Sequence, residues 1–268
     1  MSTSNIASNA QLIDVLFSAL LALGIALPRT IMSLRQLPMF FVNTNPMRIR
    51  VAIAIAMSLP VAVLIYDQLG QRPLAVIEIV WIVIKEVLIG MIIGFLVSLP
   101  FWILQNIGVL IDNQRGNSMF PNSPGSDPDS LPTGEFIKRF GVLIFMEMGI
   151  LANIFSSLMD SYVIWPALNP IPPIDTIRLD LIIDRFNHMM ISTVLYASPI
   201  ILVLLLIEFG FGLLSIYAPQ IHVNTAAPAL KSLFAMLMLM LGANTLLYVM
   251  GNEFNLIKDI MKVINYKN

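Results

Sequence analysis

Five consecutive residues, Asp112, Asn113, Gln114, Arg115 and Gly116, set a carboxylate, two amides and a guanidinium ahead of a glycine. A carboxylate and a guanidinium at this spacing share one face of a helix and pair if the backbone is helical. They could equally dock on another chain. The two amides add donors and acceptors suited to a constriction or a loop base. Further charges lie inside apolar runs: Glu78, Lys85, Glu86, Glu147, Glu208 and Lys231. A charge at mid-bilayer costs about 2.5–3.5 kcal/mol on insertion scales, so each is expected to face protein, water or an interface. Lys85 and Glu86 are sequence neighbours about 100° apart around a helix. They are therefore expected to seek partners elsewhere and not simply to neutralise each other. Two chemistries stay open for this set: ion pairs inside a bundle, or a proton relay or coupling-ion site. No ladder of carboxylates runs along one segment to favour the latter.

Enzymatic patterns are missing. His188 and His222 stand apart, and there is no GxSxG, no HExxH and no phosphate-cradling glycine loop. Cysteine is absent, which excludes disulfides, thiolate metal sites and a thiol nucleophile. The expectation is a non-enzyme without cofactor or metal.

The elements that must position these residues are set by composition. Of 268 residues, 57% are hydrophobic and 12% charged, with a mean hydropathy of +0.84. A soluble domain carries about 25% charged residues, so the chain reads as an integral membrane protein. The net charge of −1 gives no general pull toward nucleic acid. Apolar segments run over 12–27, 51–65, 74–111, 136–159, 189–218 and 226–250, all expected as helices because lipid leaves no other partner for backbone groups. Segment 51–65 is short for a crossing, which needs about 20 residues. Segment 74–111 is too long for one straight crossing, and Pro100 is expected to break or kink it. No basic residue precedes the first run and Asp14 lies at its start, unlike a cleaved secretory signal, so the first helix is expected to be retained.

Linker charges give a topology and a conflict. The stretch PRTIMSLRQLPMFFVNTNPMRIR carries Arg29, Arg35, Arg48 and Arg50 without an acid and belongs on the cytoplasmic side. Six crossings then place the acidic 160–188 linker outside, as expected. They also place the basic tail with Lys258, Lys262 and Lys267 outside, against the rule. The short segment 51–65 and the broken segment 74–111 are the suspects. Gly90 and Gly94 form GMIIG, a small-xxx-small spacing for close helix approach. Met189, Met190, Met236, Met238 and Met240 suit packing or a soft seal.

Between the third and fourth segments lies IDNQRGNSMFPNSPGSDPDSLPTGE, with Pro121, Pro124, Pro128 and Pro132 among Gly116, Gly125 and Gly134. A loop of this length is functional or disordered. It is either a solvated connector or an insert that folds into a pore. The stretch EVLIGMIIGFLVSLPFWILQNIGVLIDNQRG resembles the signature of the SctT/FliR family in Glu86, Gly90, Gly94, Gly108 and the run Asp112 to Gly116. SYVIWP, Ala197-Ser198-Pro199, and EFGFGLLSIYAPQIHVNTAAPALK with Glu208, Pro219, Gln220 and Lys231 extend the likeness over roughly 75–235. DNQRG is more similar to the injectisome branch than to the flagellar one. The segment after it departs from the family's DP…G…SPLG pattern and is richer in proline.

The resemblance implies an all-α export-gate subunit of a type III secretion system at the base of the machine, in the bacterial inner membrane. It implies an SctR-like part over 1–185, with a plug loop at 112–135, joined to an SctS-like helical hairpin over 186–268. Implied partners are SctR, SctS and SctU-like subunits, inner rod and needle proteins, and unfolded secreted substrates. Asp112, Asn113, Gln114, Arg115 and Gly116 are implied for the pore and plug. Glu86, Gly90, Gly94, Glu208, Pro219, Gln220 and Lys231 are implied for subunit assembly. A gate held above the ordinary bilayer plane would remove the topology conflict. A secondary transporter using Glu86, Glu147 and Glu208, or a membrane scaffold, are the alternatives.

Overall fold

A computed structural model of the chain describes residues 2–38, 47–69, 74–116, 131–169, 179–217, 223–249 and 251–253. Among these residues the fold is all helical: α1 (Ser2–Arg35), α2 (Met47–Leu69), α3 (Val76–Arg115), α4 (Pro132–Glu147), α5 (Ile150–Ile164), α6 (Leu179–Tyr217) and α7 (Val223–Leu241). Further helical residues are 243–249 and 251–253. Among the described residues four helices are long and apolar enough to cross a membrane, or up to six if α4 with α5 and α7 with the helical residues after it each count as one interrupted span.

Several boundaries differ from the sequence expectation. The segment expected at 51–65 is not short: α2 has 23 residues, because the helix extends over 47–50 at its start and 66–69 at its end. The segment expected to break or kink at Pro100 is not broken there: α3 runs 40 residues with that proline inside it. A proline removes one backbone donor, and in an apolar helix nothing outside competes for the turn it loosens. Ser98 Oγ donates to the Phe95 carbonyl at 2.9 Å in that same turn. Both described ends of the arginine-rich linker are helix as well. Arg29 and Arg35 lie in α1, which carries Pro28 internally. The fourth segment, in contrast, is two helices. Gly149 adopts φ +76°, and Met148 N donates to Ile144 O at 2.9 Å, a left-handed glycine stop that only glycine adopts cheaply.

The described residues gather into two compact units interleaved along the chain, those within 1–98 and 149–179, and those within 99–148 and 180–253. In the first, Ala22, Ile25 and Ala26 of α1 meet Val61, Ala62 and Ile65 of α2, Ile82 of α3, and Ala167. Alanines four residues apart on α1 let backbones approach, the main source of helix packing where lipid is as apolar as leucine. In the other unit, Phe101 and Phe145 pack edge to face at 4.8 Å between centroids. The buried residues of α6, among them Thr193, Ala197, Ile200 and Leu204, recur at helical spacing, while Ile191, Leu195, Leu202 and Phe209 are exposed.

A carboxylate clamp and a buried cation knot

The last turn of α3 carries the DNQRG run. Gly116 takes φ +81° and its N–H donates to Asn113 O at 3.1 Å, which ends the helix. Asp112 sits four residues earlier and is fully buried. Its Oδ2 accepts from the backbone N–H groups of Thr133 at 2.7 Å and Gly134 at 3.3 Å. These are the first-turn amides of α4, which lack partners inside their own helix. Leu131, the residue at the cap position, has no side-chain acceptor to offer. Asp112 therefore caps α4 from α3, where the positive end of the helix dipole favours a carboxylate. Arg115 pairs with the other Asp112 oxygen, and its Nη2 donates to Thr133 Oγ1 at 2.7 Å. Three side chains thus tie the last turn of α3 to the first turn of α4, on either side of 117–130.

A glycine contact sets this distance. A methyl on Gly108 would stand 2.5 Å from Gly134 Cα and 2.6 Å from Gly134 N. α3 and α4 touch backbone to backbone one turn before Asp112. Thr133 is a site residue that the sequence does not mark; its one signal is its place beside Pro132, a residue suited to the first helical position.

Gln114 links the same turn to two further helices. Its Nε2 donates to Glu208 Oε2 of α6 at 2.9 Å, and its carbonyl accepts from Lys231 Nζ of α7 at 3.3 Å. Lys231 and Glu208 lie 3.1 Å apart. Lys231 is buried and the Glu208 side chain is more than half exposed. Asn113 is exposed. Pro219, Gln220, His222 and residues 117–130 lie outside the described residues.

Glu86, Gly90 and Gly94 belong to a separate constellation, within the first unit. Arg29 Nε and Nη2 hold the Glu86 carboxylate at 2.7 and 2.8 Å, a bidentate pair. Arg29 also donates to Ser161 Oγ at 3.0 Å and to Trp165 O at 2.9 Å, and its guanidinium carbon lies 3.9 Å from the Tyr162 ring centre. Tyr162 in turn donates to Ala26 O of α1 at 2.9 Å. Lys85 does pair with Glu86, at 2.9 Å, contrary to the expectation from the 100° offset. Its long stem wraps back because Nζ is held by the carbonyls of Pro166, Ala167 and Asn169 at 2.9, 2.8 and 2.8 Å. Arg29 and Glu86 are both fully buried. Arg29, which sequence places in a cytoplasmic linker, is thus the centre of a knot joining α1, α3 and the turn after α5. Gly90 and Gly94 permit it: a methyl on Gly90 would overlap the Arg29 backbone, and one on Gly94 would stand 2.7 Å from Ser33 O.

The remaining expected charges are placed separately. Glu78 accepts from Ala75 N at 3.3 Å at the start of α3, and Glu147 is exposed. His188 is less isolated than its sequence context indicates. Its Nε2 lies 3.5 Å from Ser192 Oγ and its Nδ1 3.8 Å from Glu253 Oε1. The order resembles a hydrolytic triad, but Ser192 lies mid-helix in α6. Backbone amides there serve the helix and form no oxyanion hole.

The profile of bacterial export proteins, family 1, matches residues 20–257. Yop proteins translocation protein T of Yersinia pestis is 30% identical over 184 residues, 67% of this chain and 70% of that protein. Surface presentation of antigens protein SpaR of Shigella flexneri is 30% identical over 172 residues, 64% of this chain and 66% of SpaR. Flagellar biosynthetic protein FliR of Pectobacterium carotovorum is 27% identical over 189 residues, 69% of this chain and 70% of FliR.

Proposed function

The chain belongs to the bacterial export proteins, family 1, and on that premise we propose that it is an export-gate subunit of a type III secretion system. It forms part of the inner-membrane channel for unfolded secreted proteins, at the base of the machine, and residues 112–135 supply a plug that closes the channel. Translocation protein T and SpaR among its relatives support the injectisome branch, and with it a role in virulence. The proposed architecture joins an SctR-like part, 1–185, to an SctS-like hairpin, 186–268. Its partners are SctR, SctS and SctU-like subunits and the inner rod and needle proteins. The exposed apolar side of α6, with Ile191, Leu195, Leu202 and Phe209, suits burial against sister helices in such an assembly.

The observation that carries the plug reading is the clamp. A loop whose two ends are tied by Asp112, Arg115 and Thr133 keeps a fixed base, so its interior can be displaced by an extended chain without unwinding α3 or α4. A transporter reading needs a carboxylate free to exchange a proton or ion. Of the three carboxylates that reading uses, Glu86 is held by two cations and Glu208 pairs with Lys231, which counts against it, and only Glu147 is exposed without such a hold.

The test is electrical. In complexes reconstituted with the partner subunits, Arg115→Ala and deletion of 117–130 are expected to raise resting ion conductance while the complex still assembles. Wild-type conductance in both would overturn the plug.

A further inference from the structure

The last turn of α3 both gives a helix cap and receives one. Asp112 gives a carboxylate to the N-terminal amides of α4. Gln114 O, one of the carbonyls left without a partner at the C-terminal end of α3, receives Lys231 Nζ from α7. A cation at a helix C-terminus stabilises that end. Glu208 of α6 holds the same lysine at 3.1 Å and the Gln114 amide at 2.9 Å. The two caps are two residues apart on one turn. If that turn loses its helical form, the Asp112 carboxylate no longer points at Thr133.

From this we infer that Lys231 and Glu208 are positioning residues for the Asp112 clamp, so that the α6–α7 hairpin controls whether the base of the plug is closed. The inference rests on the gate reading for its meaning, though not for its geometry. Lys231 is 8% exposed, and a buried lysine is retained where its charge is matched; here Glu208 and the end of α3 match it. The hairpin and the clamp are then reciprocally coupled. A partner that pulls α7 away from α3 loosens the α4 cap, and displacement of the loop weakens the hold of α7 on α3. The signal needs no long route, because the two contacts share residues 112–115.

The amides of Thr133 and Gly134 read the clamp directly, because they donate to Asp112. Hydrogen exchange at those two positions, resolved by fragmentation mass spectrometry on the full chain, is the measurement. Lys231→Met and Glu208→Gln are expected to raise exchange there at least about fivefold, the lower end of coupling between sites. Lys231→Arg, which keeps the charge and the donor, is expected to remain near wild type. Amides of Leu158 to Ser161 in α5 are expected not to change, which separates positioning from general destabilisation. Asp112→Asn serves as the reference for an open clamp. If it raises exchange while Lys231→Met and Glu208→Gln do not, the coupling is overturned and the clamp stands. If the whole chain, α5 included, exchanges faster in Lys231→Met, the residue is merely structural and the inference fails. The gate reading fails separately, if Asp112→Asn opens the clamp but leaves the conductance of the assembled complex unchanged.

Discussion

Glu86→Gln is expected to destabilise the protein by about 3–5 kcal/mol, the usual cost of removing one partner from a buried ion pair. The reason is the charge balance of the knot, in which Arg29 and Lys85 face one carboxylate and all three groups are withdrawn from solvent. The carboxamide keeps the volume of Glu86 but brings an NH2 donor to face Arg29 or Lys85, which are donors themselves. Two cations are then buried with no anion. Arg29→Met is expected to cost less. It leaves the Lys85–Glu86 pair neutral and keeps apolar contact with the Tyr162 ring, at the expense of the bonds to Glu86, Ser161 and Trp165 O. Unfolding of the purified chain in detergent, followed by helical signal, ranks the two. A Glu86→Gln protein at least as stable as Arg29→Met would mean that the knot is not held by its charge balance.

The knot also marks the limit of what sequence reveals. Helix existence is legible throughout, because apolar length alone dictates helices in lipid. Where helices stop is less so. Pro100 reads as a break or a kink by its effect in water, and α3 continues through it unbroken. Gly149, an ordinary residue in an apolar run, divides α4 from α5 because its φ is positive. The same asymmetry holds at the sites. Asp112 and Arg115 are three residues apart and their pairing follows from helical geometry. Thr133 lies eighteen residues beyond Arg115, and its place in the clamp depends on the tertiary contact of Gly108 with Gly134. Arg29 reads as a linker charge because the positive-inside rule weighs charge and not burial. Its partner Glu86 is 57 residues away. No local pattern encodes that pairing, although an intramembrane acid with no local counter-ion does ask for one.

Gly108→Ala is expected to open the clamp without touching any of its side chains. The added methyl would lie 2.5 Å from Gly134 Cα, 2.6 Å from its nitrogen and 2.8 Å from Thr133 C. All three are backbone atoms, so no rotamer change relieves the overlap and the two helices must move apart. Overpacking of this kind costs about 1–3 kcal/mol. The displacement falls one turn from Asp112, whose bond to Thr133 N spans 2.7 Å and whose bond to Gly134 N is already 3.3 Å. Hydrogen bonds to a charged group contribute about 1.5–3 kcal/mol, and that contribution is lost as well. Gly134→Ala supplies the contrast on the opposite side of the same crossing. Its methyl would meet Val109 Cγ2 at 2.9 Å and two backbone atoms, Gln105 O at 3.0 Å and Val109 N at 3.2 Å, backbone contacts looser than the three at Gly108. Gly108→Ala is therefore expected to give the larger loss of stability, faster exchange at the Thr133 and Gly134 amides, and the larger resting conductance in assembled complexes. Equal effects from the two alanines would overturn this ranking, and wild-type stability and exchange in Gly108→Ala would remove the geometric basis of the clamp.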